Sequence, residues 1–287
     1  CIMNAGKLAV IYMSTRKTDK EDSLKLAKLL KTHDEDELPI VAPPSDEEWE
    51  RRKLLSEYRS LKCQRTKEIN RLHAIFEHNG YTQFVRKDMC SEKNRANILP
   101  LLKGYEKEEA ERLVERLNLL EKQIERLLQK INAEVENDGK IQKVMTVPGI
   151  GPITALAYVA YVGDVNRFDN AHQVSNFIGF VPKVDNSCTI CRSGHTTKQG
   201  NPLLRSLLVQ AAWATVKSKN GGALRDKYKY MAETRCIGKG KSIVTIARKL
   251  GELLYLILKT NQEYKPQKFI TPEIRISRLA EEALEYS

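Results

Sequence analysis

"ERLVERLNLLEKQIERLLQKI", Glu111–Ile131, has the most regular spacing in the chain. Leu113, Leu117, Leu120, Ile124, Leu127 and Ile131 follow one another at steps of 4, 3, 4, 3 and 4 residues, with Glu115, Lys122, Glu125 and Arg126 around them. Apolar residues repeating every 3.5 positions on a charged helix form a heptad seam, and such a seam must find an apolar partner. Two partners are open: a second copy of the chain, or the charged segment Asp46–Phe76 of the same copy. Self-association through these six positions is the first expectation.

Working outward, "RRKLLSEYRSLKCQRTKEINRLHAIF" continues a long helix from Asp46, with Ser45 as its cap and Pro43–Pro44 breaking any helix before it. A short irregular region, about 77–98, separates the two long helices. Upstream, "KLAVIYMS" (Lys7–Ser14) reads as one strand. A helix follows, capped by Thr18 or Asp19, with Leu24, Ala27 and Leu30 on one face. One strand and one helix cannot close a domain, and the chain opens on Cys1 rather than Met. The pair reads as the last piece of an α/β domain whose earlier strands are absent. After Gly139 the segments shorten, lose charge and acquire glycine, which places a domain boundary near 140. The region 141–265 reads as all-helical, with Val184–Asn201 as its longest loop, and 266–287 as a linker and a small amphipathic helix. The fold class is mostly α.

The chain has 287 residues, 41% hydrophobic and 30% charged, as in a soluble globular protein of about two domains. No apolar run approaches the roughly 18–20 residues needed to span a bilayer, and no secretory signal opens the chain. Six cysteines at irregular spacing argue against a disulfide framework and for a reducing, cytoplasmic setting. Net charge is +11, and it is concentrated: residues 1–140 carry 27 Lys+Arg against 26 Asp+Glu, whereas 141–268 carry 19 against 7. A concentrated basic excess is the electrostatic footprint of a phosphate-backbone binder, set against a merely solubilising surface.

Several motifs could carry chemistry. "VPGIGPITALAYVAYV" (Val147–Val162) has the pattern of a helix-hairpin-helix turn. Gly149 and Gly151 allow backbone conformations closed to other residues, and Pro152 suits the first turn of the next helix. Amides at such a helix start can hold a phosphate, or the turn can be purely structural. Asp19 and Asp22 share a helix face and can take part in holding a divalent metal, or simply complement the helix dipole. In "VDNSCTICRSGHTTKQGN", Cys188, Cys191 and His195 fall short of the two ligand pairs of a structural zinc, and the region lacks the context of a thioredoxin-type pair. The remaining candidate is Ser187, near Arg192, Lys198, Asn201 and Arg205: a nucleophile toward DNA if something activates it, or a loop serine bonded locally.

Ordered motifs over Lys7–Pro266 resemble transposases of the insertion sequence one-ten family, which are DEDD-type, RuvC-like recombinases. They include "KTDKEDSLKLAKLL", the N-R-L-H within the long helix, "VPGIGPITA", "FDNAHQVSNFIGFVPKVDNS", "HTTKQGNPLLRSLLVQAAW" and "GKGKSIVTIARKLGELLYLIL". The resemblance implies the remnant of a RuvC-like (RNase H-like) α/β domain at 1–40, a coiled-coil helical region at 41–140, and at 141–265 a transposase domain carrying a helix-hairpin-helix-like motif and a catalytic serine, followed by the tail 266–287. Asp19 and Asp22 match the last two acids of a Mg2+ site, in T-D-x-x-D. Ser187 matches the serine that follows "GFVP". The family's serine is usually followed by glycine, where this chain has Cys188; Ser193–Gly194 is a rival. The implied partners are donor and target DNA, a structured guide RNA and further copies of the chain. Gly149, Gly151, Arg192, Lys198, Arg205, Lys239, Lys241 and Arg248 are expected on nucleic-acid backbones, with Asn201 beside them. The family's first Asp and its Glu fall upstream of this sequence, so two of four acids are missing and the chain as it stands is expected to be inactive. The competing readings are a non-catalytic nucleic-acid-binding remnant and a RuvC-like junction nuclease, which would attack with water.

Overall fold

The computed structural model describes residues 18–33, 41, 43–187 and 190–266. The chain divides into two units, 1–47 and 48–287. The first contributes helix α1 (Asp19–Thr32). The Thr18 hydroxyl accepts the Glu21 amide at 3.3 Å and caps it, as the sequence leads one to expect, and Asp19, Glu21 and Asp22 in the first turn complement the helix dipole. Leu24 and Leu30, the predicted apolar face, are exposed. The predicted strand Lys7–Ser14 lies outside the described residues.

The second unit begins with α2 (Asp46–His78), followed by the short α3 (Glu92–Ile98) and α4 (Gly104–Asn137). Ion pairs set the sense of α2 on α4: Arg51–Asp138 at 2.9 Å, Arg65–Glu121 at 2.7 Å and Arg71–Glu109 at 3.6 Å. Numbers rise on one helix as they fall on the other, so the helices are antiparallel. Leu113 and Leu117 pack with Ile69, Leu72 and Phe76, while Ile131 and Val135 pack with Leu55. All six heptad positions are at most 9% exposed within one chain. The seam assigned to self-association is therefore covered by α2, which corrects that expectation. A heptad pattern demands an apolar partner without naming it; residues 79–103 let the chain reverse, and complementary charges along α2 select the intramolecular choice.

Helix α3 plugs the reversal with a buried cation. The Arg95 side chain is fully buried and donates to Met89 O at 3.1 Å, Asn118 Oδ1 at 3.0 Å and Glu121 Oε2 at 2.7 Å. Glu121 also receives Arg65, so one carboxylate ties α2, α3 and α4 together.

The remaining elements are α5 (Gly139–Met145), α6 (Pro152–Val162), α7 (Ala171–Ile178), strands β1 (Pro182–Ser187) and β2 (Ile190–Thr196), α8 (Pro202–Lys217), α9 (Gly222–Lys229) and α10 (Lys239–Thr260). Helix α6 is apolar on every side and buried along most of its length, against the end of α4, α5 and α8. Ile131 and Val135 of α4 belong to the same core as α5–α10. The expectation of an all-helical region with a long loop is corrected here: the polar stretch forms an antiparallel β-hairpin. Its sequence has neither a helical apolar period nor clean alternation, because the hairpin has little core to face, so composition alone reads as loop. Among the described residues no helix is long and apolar enough to cross a membrane.

Burial draws the Glu121 carboxyl upward, but the hydrogen bonds and charges of Arg95 and Arg65 outweigh it and hold it below the usual carboxylate range. A carboxylate depressed in the folded state contributes stability that is complete above the unfolded pKa of about 4.3 and is lost as pH falls through the folded value. Glu121→Ala strands a buried guanidinium and is expected to lower stability by about 3 kcal/mol in urea unfolding at neutral pH. The difference from wild type should shrink as the solution is made more acidic than pH 4; a difference constant with pH would show that the charge is not what matters.

Candidate nucleic-acid interface

The hairpin is anchored where two glycines cross. Helix α7 ends at Gly179 in the left-handed region (φ +85°), whose amide reaches Ser175 O at 3.1 Å. A Cβ on Gly179 would lie 2.9 Å from the amide nitrogens of Gln199 and Gly200, and one on Gly200 would fall onto the carbonyls of Phe177 and Ile178. Only glycine admits this approach. Arg205 closes the crossing by donating from Nη1 to Ile178 O and Gly200 O. Asn201 caps α8, its Oδ1 accepting Leu203 N at 2.8 Å and Leu204 N at 3.1 Å. Lys198, with φ +54°, leaves its side chain exposed while its amide bonds Gly179 O.

From this base the strands pair Val184 with Ser193, Asp185 with Arg192, Asn186 with Cys191 and Ser187 with Ile190. Ser187 is therefore the last paired residue before the reversal, about 17 Å from Pro182 at roughly 3.3 Å per strand residue. Cys188 lies outside the described residues, as do the side chains of Ser187, Cys191, Arg192 and His195.

At the root of the hairpin a groove of about 390 Å3 opens between Phe180, Pro182 and Thr196 on one side and Gly240, Lys241, Val244, Thr245 and Arg248 of α10 on the other. Lys241, Thr245 and Arg248 are spaced 4 and 3 and share a face. Helix α10 starts with exposed Lys239 and Lys241 and carries no acid in its first turn. Cations at the positive end of a helix oppose its dipole, and the same amides and lysines together attract an anion. Arg248 Nε lies 3.5 Å from Glu252 Oε1. Glu252 also takes Lys249 Nζ at 2.6 Å and the Ser175 hydroxyl at 2.9 Å. Burial draws the Glu252 carboxyl upward; Lys249, Ser175 and Arg248 together hold it below the usual range. One carboxylate thus faces two cations. Lys227 nearby is pushed down by burial and by Lys249 and Arg248, the mark of a locally positive surface.

Residues 141–229, from α5 through α9, match the protein family described as "Transposase IS116/IS110/IS902 family". Over that span the chain is similar to transposases of the IS116/IS110/IS902 family. It is 38% identical over 105 residues to a probable family 20 transposase of Pseudomonas aeruginosa, covering 37% of this chain and 31% of that protein. It is 30% identical over 139 residues to the transposase of insertion sequence element IS1111A of Coxiella burnetii, covering 48% and 38%. Against a putative transposase of Sinorhizobium fredii it is 28% identical over 261 residues, covering 82% and 64%. The chain thus spans less than two thirds of the length of each.

The residues singled out by sequence fall into distinct environments. The turn between α5 and α6 contains Gly149 and Gly151. Gly149 (φ +92°) is pressed against α8: a Cβ there would lie 2.5 Å from Thr215 Oγ1 and 2.7 Å from Ala211 O. Thr215 Oγ1 in turn lies 2.6 Å from Pro148 O. Gly151 has open space around it. Asn201 Oδ1 caps α8 and Arg205 Nη1 bonds carbonyls inside the fold. Lys241 and Arg248 line the groove and Lys239 stands at the start of the same helix, all three beyond the family match. Thr245, Phe180 and Thr196 also line it and were not anticipated; the 4,3 spacing from Lys241 to Arg248 was the available signal for Thr245. Asp19, exposed, and Asp22, half-buried, sit in the first turn of α1, with Asp22 Oδ1 3.4 Å from Lys25 Nζ. Among the described residues no three His, Cys, Asp or Glu side chains gather as metal ligands. Two carboxylates, one of them shared with Lys25, do not make a divalent-ion site by themselves.

Gly149 and Gly151 separate packing from ligand contact. Gly149→Ala combines a left-handed backbone with steric overlap and is expected to cost about 2–4 kcal/mol. Gly151→Ala should leave thermal unfolding within a degree or two of wild type, since about 1 kcal/mol moves Tm by only 2–4 °C at this size. Equal losses would contradict the packing of Gly149 on Thr215.

Proposed function

We propose that the chain is the DNA-handling part of an insertion-sequence transposase, in which the groove at the hairpin root holds a phosphate backbone and the hairpin carries Ser187 to it. The observation that supports this reading is the start of α10: Lys239 and Lys241 crowd a helix N-terminus with no acid to balance them, beside Arg248, at the foot of the arm that bears the serine. Cations there are unfavourable for the helix alone and favourable once a phosphate is bound. The match of residues 141–229 to a transposase family makes DNA the phosphate polymer of first choice. A structured RNA is the second, since its backbone offers the same phosphates.

In this reading Ser187 Oγ attacks phosphorus, a phosphoester to the serine forms, and a deoxyribose hydroxyl leaves with the electrons of the broken P–O bond. Covalent capture conserves the energy of the phosphodiester for rejoining, which water attack would forfeit.

Binding to a duplex, followed by fluorescence anisotropy, should weaken steeply with salt, with log K falling by about 0.9 per phosphate contacted for each unit of log salt. Lys241→Ala is expected to reduce that slope by about one and to weaken all sequences alike. Its circular dichroism should be unchanged, because Lys241 is exposed. An unaltered slope would remove the groove from the interface. In a longer version carrying the two upstream acids that the resemblance implies, Ser187→Ala should abolish denaturant-resistant protein–DNA adducts while leaving binding intact. Adducts that persist would assign the nucleophile elsewhere.

A further inference from the structure

Glu252 lies one turn beyond Arg248 on α10, off the groove at the hairpin root, whose lining includes Arg248 but not Glu252. Its side chain is only 13% exposed. Three donors surround it. Lys249 Nζ reaches Oε2 at 2.6 Å. The Ser175 hydroxyl donates to Oε1 at 2.9 Å, and Arg248 Nε stands 3.5 Å from the same oxygen. An exposed ion pair three or four residues apart on one helix contributes little. Glu252 differs because one of its partners is buried on another helix: Ser175, on α7, is 1% exposed.

Ser175 also holds the start of the hairpin. Its carbonyl accepts the amides of Gly179 at 3.1 Å and Phe180 at 3.0 Å, in the turn that leads to β1. Through Ser175 the carboxylate is fixed relative to the hairpin root as well as to α10. The carboxylate in turn faces Arg248 from behind. Arg248 Nε is enclosed and makes no hydrogen bond, and Glu252 is the arginine's ion-pair partner among the described residues. The Nε edge of the guanidinium thus faces the protein, which leaves the Nη fork for a ligand in the groove that Arg248 lines.

We propose that Glu252 is a positioning residue: without touching the nucleic acid, it holds the Arg248 guanidinium in the direction in which a phosphate meets it. The inference rests on the groove being the phosphate site of the proposed function. Charge alone argues the opposite role, since an anion near the site weakens the field a phosphate feels. Two facts limit that effect. Lys249 takes the other carboxylate oxygen, so Arg248, Lys249 and Glu252 together keep one net positive charge. The field is also screened by salt, whereas orientation is not. An arginine that is free to rotate must be ordered when it binds, at a cost of roughly two- to tenfold in affinity. Held by Glu252, Arg248 is ordered beforehand.

A double-mutant cycle on duplex binding by the full chain, followed by fluorescence anisotropy, tests this, with thermal unfolding of each variant alongside. Glu252→Gln keeps an acceptor for Ser175 and removes the charge that holds Arg248. It is expected to weaken binding about two- to tenfold, against the tightening that loss of a negative charge gives by itself. In an Arg248→Ala background the same substitution should leave binding unchanged or slightly tighter. Ser175→Ala should weaken binding only where Arg248 is present. Tighter binding by Glu252→Gln in the otherwise wild-type chain overturns the proposal. So does equal weakening with and without Arg248, which would mean that Glu252 only holds the fold together. If Arg248→Ala weakens binding and Glu252→Gln does not, the groove stands and the positioning role falls. If Arg248→Ala binds as wild type does, the groove is not the phosphate site and both readings fall.

Discussion

Helix α6 has no polar face, and the second half of the molecule is organised around that constraint. "PITALAYVAYV" leaves no side fit for water, so the end of α4, α5 and α8 close around it. The fully enclosed hydroxyl of Tyr158 must find a partner: it donates to Gly251 O at 2.6 Å, which pins α6 to a single level of α10. Burial pushes the Tyr158 phenol upward, so it remains a neutral donor at any ordinary pH. Once α10 is placed by this bond, its first turn is placed too. The lysines at its start then stand at the root of the hairpin.

The charged contacts follow one economy. Glu121 serves Arg95 and Arg65; Glu252 serves Lys249 and Arg248. In both cases a single carboxylate, held ionised by its cations, orders side chains from more than one part of the chain. The outcomes differ with depth. Around Glu121 the Arg95 side chain is fully enclosed, so the pair is a structural clasp. Around Glu252 the cations are only partly buried. A basic region is thus divided into cations that hold the fold and cations that face outward, and only the latter could serve the proposed interface.

The hairpin has a root fixed by backbone packing. The Gly179–Gly200 crossing, locked by Arg205, gives the two strands a rigid root. Ser187 is the last paired residue of β1, five residues beyond Pro182. In the proposed function that distance from the root is what would bring the serine to a bound backbone.

The sequence by itself determined the helical class, both long helices, the cap at Thr18, the turn at Gly149 and the basic half of the molecule. These are local properties, written in periodicity, capping residues and charge counts. It also carried the ordered motifs of an insertion-sequence transposase. Tertiary structure alone decided the partner of the heptad seam, because an apolar stripe is satisfied by any complementary stripe within reach. It alone converted Val184–Asn201 from loop to hairpin, because strand pairing is a contact between segments and not a property of either. It also divided the polar residues of that stretch. Asn201 and Arg205 turned inward, to carbonyls and amides that only the folded backbone brings near, whereas Lys241 and Arg248, distant in sequence, were brought to the hairpin's foot by the packing of α10 against the core.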